Sequence, residues 1–160
     1  MNGARSETAR VGAVPRRTAR VLLVDDDAGD QYLVRRALSD DPRRADLLVI
    51  DDGDTALDYL LHRGVHAGHE RPPRPDLLLL DLNLPGADGF SILATARGDE
   101  RLRSLPIVVI STSSRESDIE ESYRLGCNAY VIKPDSASGF IDVIHAVYNY
   151  WLDVNLPSSS

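Results

Sequence analysis

Leu77-Leu78-Leu79-Leu80-Asp81-Leu82-Asn83-Leu84-Pro85-Gly86 is the stretch on which the reading of this chain turns. Four consecutive leucines show no polar alternation, so the strand they form must be covered on both faces, as in a parallel sheet. A carboxylate and a Pro-Gly turn end the run. Asp81 therefore falls at the carboxyl end of a buried strand, the edge at which open α/β sheets bind their ligands. Val21-Leu22-Leu23-Val24 ends in the same way, in Asp25-Asp26-Asp27. Two strand ends that bring carboxylates to one sheet edge create a place for a divalent cation.

Outward from these two strands, β-rich runs alternate with helical patterns. Gly29 to Ser39 carries Leu33, Ala37 and Leu38 on one predicted helical face, with Arg35-Arg36 opposite. Leu47-Leu48-Val49-Ile50 predicts a second strand, followed by a helix with Ala56, Leu57, Leu60 and Leu61 at core spacing. A loop from His62 to Pro75 precedes the leucine strand, and Asp88-Gly89 opens a third helix with Phe90, Ile92, Leu93 and Ala96. Ile107 to Ile110 predicts the fourth strand, and a helix through Ile119, Tyr123 and Leu125 ends at Gly126. Ala129-Tyr130-Val131-Ile132 predicts the fifth strand, and Phe140 to Trp151 the last helix. Five β/α units in strict alternation predict an α/β fold, a parallel sheet with helices on both faces.

Composition narrows the function. A chain of 160 residues, 42% hydrophobic and 27% charged, has room for one ordinary globular domain. A net charge of -7 disfavours general nucleic-acid binding, which needs clustered Lys and Arg against phosphate. No apolar run approaches the ~20 residues needed to cross a bilayer, so no membrane role is expected. The single cysteine, Cys127, fits a reducing, cytoplasmic location. Residues 1–18 are polar and basic with no hydrophobic core behind them; they read as a disordered tail rather than a leader. The ordered domain is expected over 19–156, with 157–160 as a C-terminal tail.

The predicted strand ends collect Asp25 and Asp26, Asp81, Ser111 and Lys133. Helix capping explains any one of the acids. It does not explain chemistry at four of five strand ends. Clustered carboxylates raise one another's pKa unless a cation lies among them, and hard oxygen ligands suit Mg²⁺. A carboxylate beside a metal, an ammonium and a hydroxyl is arranged to accept a phosphoryl group as a nucleophile.

With these residues in order, the chain from Arg20 to Leu156 resembles the receiver domain of two-component response regulators. The acidic pair Asp25-Asp26, the acceptor segment Leu80 to Gly86, Ile110-Ser111 and Lys133-Pro134 carry the resemblance. Their separations fit as well, 30 residues from Asp81 to Ser111 and 22 from Ser111 to Lys133. The resemblance implies a doubly wound, flavodoxin-like (βα)5 fold with strand order 2-1-3-4-5. It implies phosphorylation of Asp81 by a histidine kinase, and Mg²⁺ (or Mn²⁺) held by Asp26, Asp81 and the Asn83 backbone carbonyl, with Asp25 acting through water. Ser111, Thr112 and Lys133 would contact the phosphoryl group, and the Lys133–Pro134 bond would be cis. Ser111 and Tyr130 would act as the switch, while Asn83 and Ser113 would tune hydrolysis.

Two departures from a minimal receiver narrow the resemblance: the lengthened loop ending Arg71-Pro72-Pro73-Arg74-Pro75, and the closing Tyr148-Asn149-Tyr150-Trp151. Both resemble single-domain regulators of bacterial phytochrome-type kinases, which implies a bacteriophytochrome-type partner and an unknown downstream protein. A homodimer is expected on the face formed by the fourth helix, fifth strand and fifth helix, involving Tyr123, Tyr148 and Trp151. The competing reading is a pseudo-receiver, an interaction module without phosphate chemistry, but these usually lose one of the five site residues. An aspartyl phosphatase of the dehalogenase type wants a second Asp where Asn83 stands. A flavodoxin-type cofactor site wants Gly and hydroxyls where Asp25 to Asp27 stand. His62, His66 and His69 lack the spacing of a metal site and are expected in a solvated loop. Asp51-Asp52-Gly53 is expected to cap a helix, and Cys127 to be a small buried side chain.

Overall fold

A computed structural model describes residues 17–43 and 45–157. The strands are β1 (Ala19–Val24), β2 (Ala45–Ile50), β3 (Leu77–Leu80), β4 (Ile107–Ser111) and β5 (Ala129–Ile132). The helices are α1 (Ala28–Ser39), α2 (Gly53–Leu61), α3 (Gly89–Gly98), α4 (Glu116–Arg124) and α5 (Ala137–Asn149). All neighbouring strands run parallel, in the order β2-β1-β3-β4-β5, as expected. The N-terminal tail predicted over 1–18 lies almost wholly outside the described residues. Arg17, within it, is docked, pairing with Asp76 at 2.7 Å.

The leucine strand explains the layering. Side chains alternate across a strand, so Leu78 and Leu80 enter one core and Leu77 and Leu79 the other. The first core joins them to Leu22, Val24, Val109 and the inner sides of α2 and α3; the second joins Val21, Leu23, Val108 and Ile110 to α1 and α5. All four leucines are buried, each contributing on the order of 2 kcal/mol of transfer free energy. A charge placed at the end of such a strand is held by close packing on both sides.

Capping chemistry sets where the helices start. Asp27, Asp52, Asp88 and Ser136 each accept a backbone N–H of the first helical turn, which fixes the loops that leave the sheet's carboxyl edge. Asp52 receives Thr55 N–H at 2.7 Å, the capping role expected for Asp51-Asp52-Gly53. Gly126 ends α4 with φ of 102°. In α1 the fully buried face is Val34, Ala37 and Leu38, with Leu33 packed at its margin. The expected face of Leu33, Ala37 and Leu38 thus packs on the second core, with Val34 added to it. The loop after α2 contains a 3-10 turn at Gly64–His66, and His66 meets the Tyr59 ring edge-on at 5.6 Å.

The last helix brings the largest correction. Tyr148 is buried with Phe140 and Ile144, because positions four apart share a helical face and the first two are already committed to the sheet. The Arg43 guanidinium lies over its ring, 4.8 Å from the centroid. Tyr148 therefore cannot belong to a dimer face. Past Asn149 the backbone widens into a π-helical turn, Tyr150–Val154, which leaves Tyr150 exposed and Trp151 half-buried against its ring edge. Tyr123 on α4 is exposed.

Candidate functional site: an acidic sheet edge closed by one lysine

The parallel register aligns the ends of β1, β3 and β5 at one edge. Val24 is level with Leu80, so Asp25 and Asp81 follow side by side, each anchored through its own N–H: Asp25 to Ile50 O at 3.1 Å and Asp81 to Val24 O at 2.9 Å. Asp26, one residue on, turns toward solvent. Together Asp25, Asp26 and Asp81 offer three oxygen atoms within 4.8 Å of one another. That donor set, hard oxygens with one exposed member that leaves room for water, fits Mg²⁺ or Mn²⁺.

Lys133 closes the edge from β5. Its Nζ donates to Asp30 Oδ2 at 2.6 Å, Asp25 Oδ2 at 3.0 Å and Asp81 Oδ2 at 3.1 Å. With its side chain only 6% exposed, all three ammonium hydrogens are used inside the protein. Burial alone pulls the lysine pKa down; the Asp30 hydrogen bond and the charges of Asp25 and Asp81 outweigh it, and the net shift is upward. Burial pushes the Asp25 carboxyl up to about 6, against the lowering effects of the Asp27 N–H and the Lys133 charge. Three carboxylates share one ammonium and a fourth, Asp26, lies beside two of them, so the cluster lacks positive charge.

The other predicted residues surround this centre. Ser111 is fully buried at the end of β4; its carbonyl accepts Lys133 N–H at 2.8 Å and its Oγ accepts Ser113 N–H at 3.1 Å. Thr112 is exposed beside it. Ser113 Oγ donates to Asp118 Oδ2 at 2.5 Å, and Tyr130, packed against the leucine core, donates its hydroxyl to Ser113 O at 2.8 Å. Asn83 has an exposed side chain and a backbone N–H 3.4 Å from Asp81 Oδ1. The expected cis bond before Pro134 is corrected: no cis peptide occurs among the described residues. An X–Pro bond favours trans by about 0.5–1 kcal/mol, and Lys133 reaches all three carboxylates from the trans form.

The loop from Leu82 to Asp88 is held by close backbone approach. Gly53 N–H donates to Pro85 O at 2.9 Å, and a Cβ on Gly53 would lie 1.6 Å from Ala87 O. A Cβ on Gly89 would lie 2.5 Å from Asp81 O. Both glycines are there because the acid's loop passes directly over them.

Asp30 is the site residue that the strand-end reading missed. It sits in the first turn of α1, and its only mark in the sequence is a fourth acid three positions after Asp27. The His62, His66 and His69 loop forms no metal cluster among the described residues. Cys127 is buried, its thiol pushed up to about 11 by that burial.

A buried acid at the end of the central strand, flanked by two further acids and a lysine in this topology, defines a receiver. The chain belongs to the response regulator receiver domain family, whose model matches residues 21–145. Response regulator Rcp1 of Synechocystis sp. is 35% identical over 140 residues, 87% of this chain and 93% of its own. The crystal structure of the phosphorylated cyanobacterial phytochrome response regulator RcpA superposes with a TM-score of 0.84 at 35% identity, covering 89% of this chain and 100% of that one. The Mn²⁺-bound form of Rcp1 superposes at 0.81 with 32% identity, covering 88% and 99%.

Proposed function

We propose that this protein is a phosphoacceptor switch that takes a phosphoryl group on Asp81 from a phytochrome-type histidine kinase and signals through altered protein contacts. The observation that carries the reading is the buried Asp81 carboxylate, 3.1 Å from Lys133 Nζ and within the reach of one cation shared with Asp25 and Asp26. An Asp81 carboxylate oxygen attacks phosphorus of a phosphohistidine; the new O–P bond forms as the P–N bond breaks, and the departing imidazole keeps the electron pair and a proton. Lys133 neutralises a phosphoryl oxygen, and Ser111 and Thr112 lie beside it to hydrogen-bond another. Asp25, Asp26, Asp81 and the Asn83 carbonyl would hold Mg²⁺ or Mn²⁺, which would supply the positive charge that the acid-rich edge lacks. Water later cleaves the acyl phosphate, with Asn83 and Ser113 bordering its approach.

Residues 19–156 are the receiver in this reading. Ser111 and Tyr130 transmit the change: Tyr130 OH is tied to Ser113 O, two residues beyond Ser111, so movement of the β4 end reaches an aromatic ring directly. The face of α4, β5 and α5, with exposed Tyr123 and Ile132 and half-buried Trp151, is where a second copy would pack. The test is incubation with Mg²⁺ and acetyl phosphate, followed by intact mass. Wild type should gain one phosphoryl mass and Asp81→Asn none. No gain in wild type would leave a phosphate-independent interaction module as the better reading.

A further inference from the structure

Lys133 has three hydrogens and three carboxylate partners, and these partners are not equivalent. Asp25 and Asp81 belong to the three-oxygen cluster that fits a cation; Asp30 does not. Yet Asp30 makes the shortest contact, 2.6 Å against 3.0 and 3.1 Å. Its own backbone is fixed, because its N–H donates to the Asp27 cap at 2.8 Å in the first turn of α1. A cation would draw on the charge of Asp25 and Asp81 and not directly on Asp30, which would remain the partner most committed to the ammonium. An anion arriving on Asp81 must then share that ammonium with Asp30.

We infer that Asp30 is a positioning residue: it anchors the Lys133 ammonium at the acidic edge and divides its charge between itself and whatever anion Asp81 carries. The inference rests on Asp81 as the phosphoacceptor. It has two consequences of opposite sign. The Asp30 charge adds negative potential at the cation position, which favours the metal. The same charge competes for Lys133 and repels an anionic group on Asp81, which disfavours the phosphoryl state. Asp30 thus tunes metal occupancy up and phosphoryl retention down through one lysine.

Asp30→Asn separates the two. It keeps shape and a hydrogen-bonding oxygen while removing one unit of charge, and the backbone cap contact is untouched. Mg²⁺ affinity, read by titration of backbone amide resonances, should weaken roughly three- to tenfold, the scale of one nearby charge in a partly solvated site. Affinity for beryllofluoride at saturating Mg²⁺ should tighten by a similar factor. Asp30→Glu, which retains the charge, should move both constants back toward wild type. A merely structural role would weaken both ligands together, so parallel weakening overturns the inference, as does no change in either. Loss of Asp81-dependent beryllofluoride binding in wild type itself would instead remove the phosphoacceptor reading, and this inference with it.

Discussion

Gly53→Ala tests whether the acidic loop is held by direct backbone contact. The added Cβ would lie 1.6 Å from Ala87 O, 2.5 Å from Ala87 C and 3.0 Å from Ala87 Cα. Those are main-chain atoms, so no side-chain rotation relieves the overlap, and the loop must move outward. Overpacking of this kind costs about 1–3 kcal/mol. Displacement also breaks the 2.9 Å bond from Gly53 N–H to Pro85 O, worth about 1 kcal/mol. Against this, alanine gains up to ~1 kcal/mol over glycine in a helix. The net expectation is a loss of about 1–3 kcal/mol, or roughly 2–12 °C in Tm for a domain of this size. Gly98→Ala is the internal control, since its Cβ meets nothing within 4 Å; it should be neutral or stabilising by up to ~1 kcal/mol. Urea unfolding of both variants, with amide shifts of residues 82–88, measures the effect. If Gly53→Ala proves as stable as wild type with an unshifted loop, the reasoning is wrong.

Three further outcomes are expected. Lys133→Met strands the buried Asp25 and Asp81 carboxylates, costing about 3 kcal/mol without divalent cation and much less with Mg²⁺; an equal loss in both buffers in denaturant titration would refute it. Arg97 donates to Gly126 O at 2.8 Å, to Leu102, Arg103 and Leu105 carbonyls at 3.2, 3.1 and 2.9 Å, and to Asn128 Oδ1 at 2.8 Å. Lysine cannot reproduce that fork, so Arg97→Lys should cost about 2–4 kcal/mol by urea unfolding, and a loss under ~1 kcal/mol contradicts the account. The Cys127 thiol holds its proton more tightly folded, at about 11, than at its ordinary 9.0. Its contribution to stability is present below pH 9 and is lost as pH rises through 11. Unfolding curves of wild type should therefore converge on those of Cys127→Ala over that window, and a constant gap between them would count against the burial argument.

The sheet was legible because its strands are short apolar runs with acids at their ends, a pattern that survives in one dimension. Leu77 to Leu80 could only be a buried strand, and the register that follows brings Asp25 and Asp81 together. Asp30 escaped notice because its role depends on where the Lys133 ammonium ends, 103 positions away. Nothing in a helix's first turn marks that. Arg97 was equally silent: most of its partners are carbonyl oxygens, which every residue possesses. The four-residue step from Phe140 through Ile144 assigns Tyr148 to the core, a step that the expected α4-β5-α5 face does not take into account. The peptide bond before Pro134 differs between isomers by so little energy that local sequence does not decide it.

Arg97 also divides the molecule mechanically. At the amino-terminal ends of β4 and β5, one guanidinium ties the α3–β4 loop to the α4–β5 loop through neutral oxygens. At the opposite ends, the strands are joined across the acidic edge by an ammonium shared among carboxylates. The first knot is indifferent to any charge added at Asp81, and the second is not. The sheet thus has a fixed root and a working tip. In the proposed switch, a strand rooted at one end would not slide as a whole, and a displacement begun at the tip would fall on the loops there, the Ser111–Arg115 turn among them. In that switch the root would give a small push at the tip a direction.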